Sequence, residues 1–465
     1  MTIETVVRGG SVVTPQRVRE ADIGIENGRI VAVGDPDSLP GADRTVDADG
    51  RIVMPGVVDP HVHVDDAFSG DTYETASAAA ALGGVTTFLD FGWQAWTGES
   101  SPYATESSLS EGIERKRKRA GGSIVDYGLH GGITREDPAV LDEIEAAIEA
   151  GVTSFKLYTA YDVGVSYGFI DRVFEELSPL GAVSVVHTED PTICDTRTGM
   201  LREQGRGDPT DYPASRPDYA EAVSAGTVAR LAAEHGAKFY DFHVSSRKAL
   251  GELTRVRDDA GPEHVRAETC THYLALTDDV YAELGDSAMI APPIRTATDR
   301  EALFEDLRSG TGVLDVVSSD HCGFTREQKR TENWWDGTFG ANGLQTELSI
   351  LYDEAINGRG FSLPWLARVK SALPAKLFGL SNKGVIAPGF DADLVIYDPE
   401  RTHEISADDN ASVSDFSLFD GREVTGAVEK TLVRGEIVAE DGSIVAPSGH
   451  GRFVERDLPD WRADG

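Results

Sequence analysis

Cysteine is nearly absent: Cys194, Cys270 and Cys322 are the only three in 465 residues, and no two stand in a CxxC spacing. That excludes a disulfide framework and fits a reducing interior. No stretch of eighteen apolar residues occurs, and the N-terminus MTIETVVRGGSVV has neither a basic start with an apolar core nor a cleavage pattern. A soluble cytoplasmic protein is therefore expected. Lysine is scarce as well. Only ten of the 43 basic residues are lysine, against 79 acidic residues, and the net charge is -36. Such a surface repels phosphate backbones and anionic lipid, so neither a nucleic-acid nor a membrane partner is expected. An acidic, lysine-poor surface stays soluble where salt screens its self-repulsion, which points to a halophilic habitat. The one basic run, RKRKR at 115–119, lies between acidic stretches and reads as a solvated helix face. A phosphate-cradling glycine loop, a GxSxG elbow and a zincin helix are all missing.

What is present has two textures. Residues 1–54 alternate apolar and polar with turn signals, among them Asn27 followed by Gly28, and the same texture returns after Lys383 with Asp441 followed by Gly442. The two ends, 1–54 with 385–450, are expected to complete one small β-domain, leaving 451–465 as a tail. Between them, at 55–384, short β-branched runs alternate with helical ones, the signature of successive βα units. Strands are expected near 57–64, 85–92, 123–132, 154–160, 183–189, 238–244, 265–274 and 313–320, and eight of them suggest an α/β barrel. An amphipathic helix is expected at 138–150, with Val140, Leu141, Ile144, Ala147 and Ile148 on one face. Loops are expected at 191–217 and 322–343 around the mouth.

The chemistry gathers at the ends of these strands. In PGVVDPHVHVDD, His61 and His63 stand two apart, so both imidazoles leave the same face of an extended strand. Alone, such a pair fits hydrogen-bonded core histidines as well as metal ligands. Repetition favours the metal: His187 closes VSVVH, His243 closes FYDFH and Asp320 closes VLDVVSSD. Lys156, within TSFKLYTA, is the odd member, since an ammonium beside cations makes no ligand. It is either a structural lysine paired to a carboxylate or, carbamylated by carbon dioxide, an anionic bridge between two ions. Four imidazoles, one carbamate and one aspartate suit two divalent ions such as zinc, with manganese or cobalt as alternatives. Two such ions lower the pKa of a shared water and polarise a carbonyl, which is hydrolytic chemistry. Asp320 is then placed to move the proton, and Tyr161, on the loop after Lys156, to donate to an oxyanion. His130 and His272 are second candidates for lining the site. His321 should point away from it, and His235, His264, His403 and His450 read as surface residues.

With these residues in place, the chain resembles the cyclic amidohydrolases, most closely the dihydropyrimidinase/hydantoinase group. The resemblance runs nearly end to end through PGVVDPHVHVDD, ALGGVTTFLDFGWQ, DYGLHGGIT, TSFKLYTAY, VVHTED, AETCTHYL, APPIR at 291–295, SSDHCGF, VTGAVEKTLVRGEIVAEDG and GHGRF. It implies a distorted (β/α)8 TIM barrel, a β-sandwich built from both chain ends, and a homotetramer. It implies one metal held by His61, His63 and Asp320 and another by His187 and His243, with carboxylated Lys156 as the bridge. The ring amides would be held by backbone groups of Ala291 and Phe339, where the group usually carries serine or asparagine and asparagine respectively. The implied substrate is a small cyclic amide, a dihydropyrimidine or hydantoin, opened to an N-carbamoyl amino acid. Asp65, where dihydroorotases carry an arginine, disfavours dihydroorotate. GLQ at 343–345 and His272 of THYL lean toward allantoinase, and a non-catalytic scaffold of the same fold is a further alternative. A substrate side chain would lie against Asp66, Phe68, Trp93 and Tyr158, and the carboxylate of Asp66 favours a small or polar ring.

Overall fold

Short β-branched strands that alternate with helices hide both their faces when helices pack around a parallel sheet. The computed structural model describes residues 3–94 and 107–462, and it is built this way. The strands Val57–Asp59, Val85–Trp93, Asp126–Gly132, Ser154–Tyr158, Val183–His187, Lys238–Asp241, Val265–Cys270 and Leu314–Ser318 pair in that order into one parallel sheet. Among the described residues the first and eighth strands are not paired in this sheet. The seam is bridged just beyond them, where Val62–His63 pairs in parallel with His321–Cys322 and the Asp59 carboxylate accepts the Ser319 N–H at 3.2 Å. The architecture is a distorted (β/α)8 barrel.

A second sheet of nine strands draws on both chain ends. Its centre is Ile52–Pro55, which pairs in parallel with Thr5–Val13 and antiparallel with Leu394–Glu404. Asn27 and Gly28, then Asp441 and Gly442, all adopt the left-handed backbone that tight hairpins need. This sheet has a separate core that includes Val7, Ile23, Val53, Leu394 and Leu432.

Several local expectations change. The segment 138–150 is a 3-10 turn, Pro138–Glu143, followed by the helix Ile144–Glu149; Val140, Ile144 and Ala147 are buried, while Leu141 and Ile148 are half-buried. The stretch 191–217 is not a loop. It holds the helix Pro191–Glu203 and the 3-10 turn Pro209–Ser215, because Asp190 caps the Ile193 N–H at 2.9 Å and Pro191 occupies the first helical position. The expected strand at 265–274 ends at Cys270 and turns helical over Thr271–Ala275.

The basic run is not a uniformly solvated face. It lies on the helix Leu109–Arg119, where Gly112 sits so close to the second barrel strand that a Cβ would fall 2.0 Å from the Trp93 carbonyl oxygen. That approach drives Lys116 inward. Its ammonium is buried, donating to the Val64 carbonyl and pairing with Asp90 at 2.8 Å and Asp66 at 3.4 Å. Lys118 stays exposed and pairs with Glu114.

The chain beyond His450 seals the barrel at the end opposite the strand C-termini. The Tyr127 backbone N–H donates to the Arg452 carbonyl at 2.9 Å and the Val454 N–H donates to the Tyr127 carbonyl at 2.8 Å. The buried Arg456 guanidinium donates to the Leu129 carbonyl and to Ser154 Oγ. The buried Trp461 donates from Nε1 to the Leu377 carbonyl at 3.0 Å. The final residues of the segment, 463–465, lie outside the described residues, as do residues 1 and 2. No helix among the described residues is long and apolar enough to cross a membrane.

Two stability measurements check this architecture. Lys116→Met strands two buried carboxylates and should cost about 3–5 kcal/mol in urea unfolding; a loss under about 1 kcal/mol would mean the ammonium is not buried in solution. Trp461→Ala should cost about 3 kcal/mol by emptying its slot, and an unchanged unfolding midpoint would show the tail to be undocked.

Candidate active site

Loops leaving the C-terminal ends of barrel strands converge on one face, the usual seat of chemistry in this architecture. Four side chains there stand on left-handed backbone: Asp65 at φ 52°, Tyr161 at 66°, His243 at 45° and Asp320 at 46°. Each such residue costs of order 1–3 kcal/mol and persists only where its surroundings over-determine it. His61 is held by its own N–H to Asp59 Oδ1 at 3.1 Å, and the same aspartate reaches Ser319 across the seam. The device that closes the barrel therefore also delivers His61 and His63 to Asp320.

All six side chains singled out by sequence, His61, His63, Lys156, His187, His243 and Asp320, line one cavity. His61, His63 and Asp320 present ligand atoms within 4.8 Å of one another, with Asp320 Oδ1 3.1 Å from His61 Nε2 and 3.8 Å from His63 Nε2. His187 Nδ1 faces His243 Nε2 at 2.9 Å. Burial holds all four imidazoles below their usual range, so they are neutral and offer lone pairs. Lys156 is the buried orphan. Its Nζ has no hydrogen-bond partner and lies 4.1 Å from the Phe242 ring and 4.4 Å from the Tyr158 ring. Burial brings the amine down to about 7, with Asp320 opposing most strongly, and the structural pairing to a carboxylate is not seen. Burial likewise pushes the Asp320 carboxyl up to about 8 against the pull of Lys156. Neutral imidazoles, an orphaned amine and a carboxyl turned toward one point fit divalent cations.

The cavity is about 280 Å³, at the small end of the roughly 300–1,000 Å³ usual for ligand sites. Tyr161, Ala291 and Phe339 line it together with Ala67, Phe68, Tyr158, Cys322 and Phe324. Asp66 and Trp93 do not. Asp66 accepts the Trp93 Nε1–H at 2.9 Å and pairs with Lys116; against desolvation, Lys116, then His63 and Trp93, hold its carboxyl down to about 2. Its carboxylate therefore does not favour a polar ring, and the cavity is lined instead by Ala67, Phe68, Tyr158 and Phe324.

The remaining histidines divide further. His130 is inside the barrel but both its nitrogens are engaged, by Ser154 Oγ at 2.6 Å and the Pro60 carbonyl at 2.8 Å. His272 is buried beside Tyr273 and does not reach the cavity. His321 points to Asp71 at 2.9 Å, away from the cavity. His235, His264, His403 and His450 are half-buried and outside the site. Gln345 is engaged by Asp409 and Ala411. Neither of the two features that leaned toward allantoinase therefore touches the cavity.

Three residues of the site were not singled out by sequence. Glu268, inside the seventh strand, accepts from His61 Nδ1 at 2.8 Å and leaves Nε2 facing Asp320. Glu189 takes His187 Nε2 at 3.0 Å and leaves Nδ1 facing His243. Carboxylates of this kind fix the tautomer and orientation of a ligand imidazole. Arg216 in turn pairs with Glu189. Only the spacing of Glu189, two residues past His187, offered a sequence signal.

Comparison with known proteins agrees with this geometry. The model of the Amidohydrolase family matches residues 52–438. A D-hydantoinase of Streptomyces coelicolor is 36% identical, with 98% of each chain covered. An Escherichia coli allantoinase is 32% identical over 97% of this chain and 98% of its own. The crystal structure of dihydropyrimidinase from Brevibacillus agri superposes with a TM-score of 0.91 at 30% identity, over 98% of this chain and 99% of that one. A barrel of this topology, a converging histidine and aspartate cluster and matches of this length leave one conclusion: the chain belongs to the amidohydrolase family, in its hydantoinase group.

Proposed function

We propose that this protein is a cyclic amidohydrolase that opens a dihydropyrimidine or hydantoin ring to an N-carbamoyl amino acid at a pair of divalent cations. The observation that carries the reading is the orphaned Lys156 amine among five metal-type donors in one small cavity. His61, His63 and Asp320 would hold one ion, His187 and His243 the other, and Lys156 as a carbamate would bridge them. An amine near neutrality has the uncharged fraction that attacks carbon dioxide, and cations would then balance the new anion. Bound ions of this kind, zinc above all, supply Lewis acidity and lower the pKa of a water toward neutrality.

The protein groups divide the remaining work. Asp320 removes the proton of the attacking water and passes it to the departing ring nitrogen. Tyr161 donates its hydroxyl to the oxyanion of the tetrahedral carbon. Backbone groups of Ala291 and Phe339 hold the ring amides. Lys329 keeps those two segments together by donating from one buried ammonium to the Met289 and Gly340 carbonyls. The aromatic wall accepts rings with apolar substituents. We further propose a homotetramer in a high-salt cytoplasm.

The test is a panel of dihydrouracil, hydantoin, allantoin and dihydroorotate, run in dilute buffer and in molar KCl alongside metal analysis. The expected outcome is about two metal equivalents per chain and ring opening of dihydrouracil or hydantoin; fastest turnover of allantoin would move the assignment to allantoinase. A metal-free, inactive oligomer would make the chain a scaffold. Lys156→Ala should lose at least a thousandfold in kcat and regain part of it with added short-chain carboxylic acids. Full activity without them would remove the carbamate.

A further inference from the structure

Glu189 and Tyr161 leave different barrel strands, yet one half-hidden guanidinium touches both. Arg216 lies between the turn Pro209–Ser215 and the helix Asp218–His235, with its side chain 12% exposed. Its Nη1 donates to Glu189 Oε2, the same oxygen that takes His187 Nε2 at 3.0 Å. Its guanidinium carbon lies 4.7 Å from the Tyr161 ring centroid and 5.7 Å from that of Phe339. Arg216 is itself anchored. Its carbonyl accepts from the buried Arg295, which Ser245 Oγ at 3.0 Å and Glu221 Oε2 at 3.2 Å hold in place.

We propose that Arg216 is a positioning residue that couples the orientation of His187 to the donor strength of Tyr161. On one side it neutralises Glu189, so that this carboxylate keeps the His187 Nε2–H and leaves Nδ1 turned to His243. Without the cation, a fully buried carboxylate would stand against an imidazole alone. On the other side, the flat guanidinium over the Tyr161 ring restrains it and draws electron density from the phenol, strengthening its hydroxyl as a donor. A lysine would supply the charge but not the planar group that can pair and stack together. The inference rests on the proposed hydrolase reading for its Tyr161 arm, while its His187 arm concerns metal affinity alone.

The experiment compares wild type, Arg216→Gln, Arg216→Lys and Tyr161→Phe with the double variant Arg216→Gln/Tyr161→Phe. Zinc affinity is measured by competition with a chelator, and kcat and KM at saturating zinc. Arg216→Gln should weaken one of two zinc equivalents by roughly 10–100-fold, lower kcat at least tenfold and leave KM within a factor of three. Arg216→Lys should restore zinc affinity but not kcat. In the Tyr161→Phe background the kcat effect of Arg216→Gln should shrink below threefold, because the two residues act as a unit. Wild-type zinc affinity in Arg216→Gln, or an undiminished kcat effect without the Tyr161 hydroxyl, would overturn the proposal. Should Arg216→Gln not fold, wild-type kcat in Arg216→Lys overturns it equally. If wild type opens no ring, the hydrolase reading fails, and the zinc measurement still decides the His187 arm.

Discussion

Burying polar groups without partners is expensive, and the centre of this barrel does it repeatedly. Lys156 Nζ is buried without a hydrogen-bond partner, and the inward nitrogens of His61, His63, His187 and His243 crowd the same cavity, whose other walls are largely aromatic. A fold tolerates such a cluster when something else stabilises it, and divalent cations attracted to four lone-pair imidazoles and a carboxylate would do so. The rest of the site is arranged around that requirement. Glu268 and Glu189 occupy the outward nitrogens of His61 and His187, which fixes the inward nitrogens as the free ones.

The same economy links closure of the barrel to construction of the site. An eight-stranded sheet whose end strands do not pair would leave unsatisfied backbone groups. Here the gap is spanned by Asp59, which takes the Ser319 and His61 N–H groups, and by pairing of Val62–His63 with His321–Cys322. Two histidines from the start of the barrel and an aspartate from its end meet because the seam must be satisfied. The strained backbone at Asp320 stands next to that seam.

Charge is handled differently inside and outside. The surface carries a large acidic excess, yet the interior ion pairs depend on a few cations placed one by one. Lys116 serves Asp66 and Asp90, Lys383 serves Asp126 and Asp393, and Lys370 serves Glu347. Scarcity of lysine in the sequence is therefore a surface property, and several of the ten that remain are buried. The run at 115–119 follows the same rule: four of its five residues carry the pattern of a solvated face, and only the approach at Gly112 turns the fifth inward.

Local chemistry in the chain was enough for the eight strands, the hairpins at Asn27 and Asp441, and the six side chains that line one cavity, since β-branched runs, turn dipeptides and a polar residue near a strand end are all properties of short segments. The Asp190 cap and Pro191 at the first helical position are equally local features, although 191–217 is expected as a loop. What no segment carries is direction. Whether Asp66 faces a ligand or Lys116, whether His272 reaches the cavity, and that Glu268, Glu189 and Arg216 orient the site depend on elements far apart in sequence. The barrel brings those elements together, and side-chain direction there follows from long-range packing and from the need to pair every buried charge.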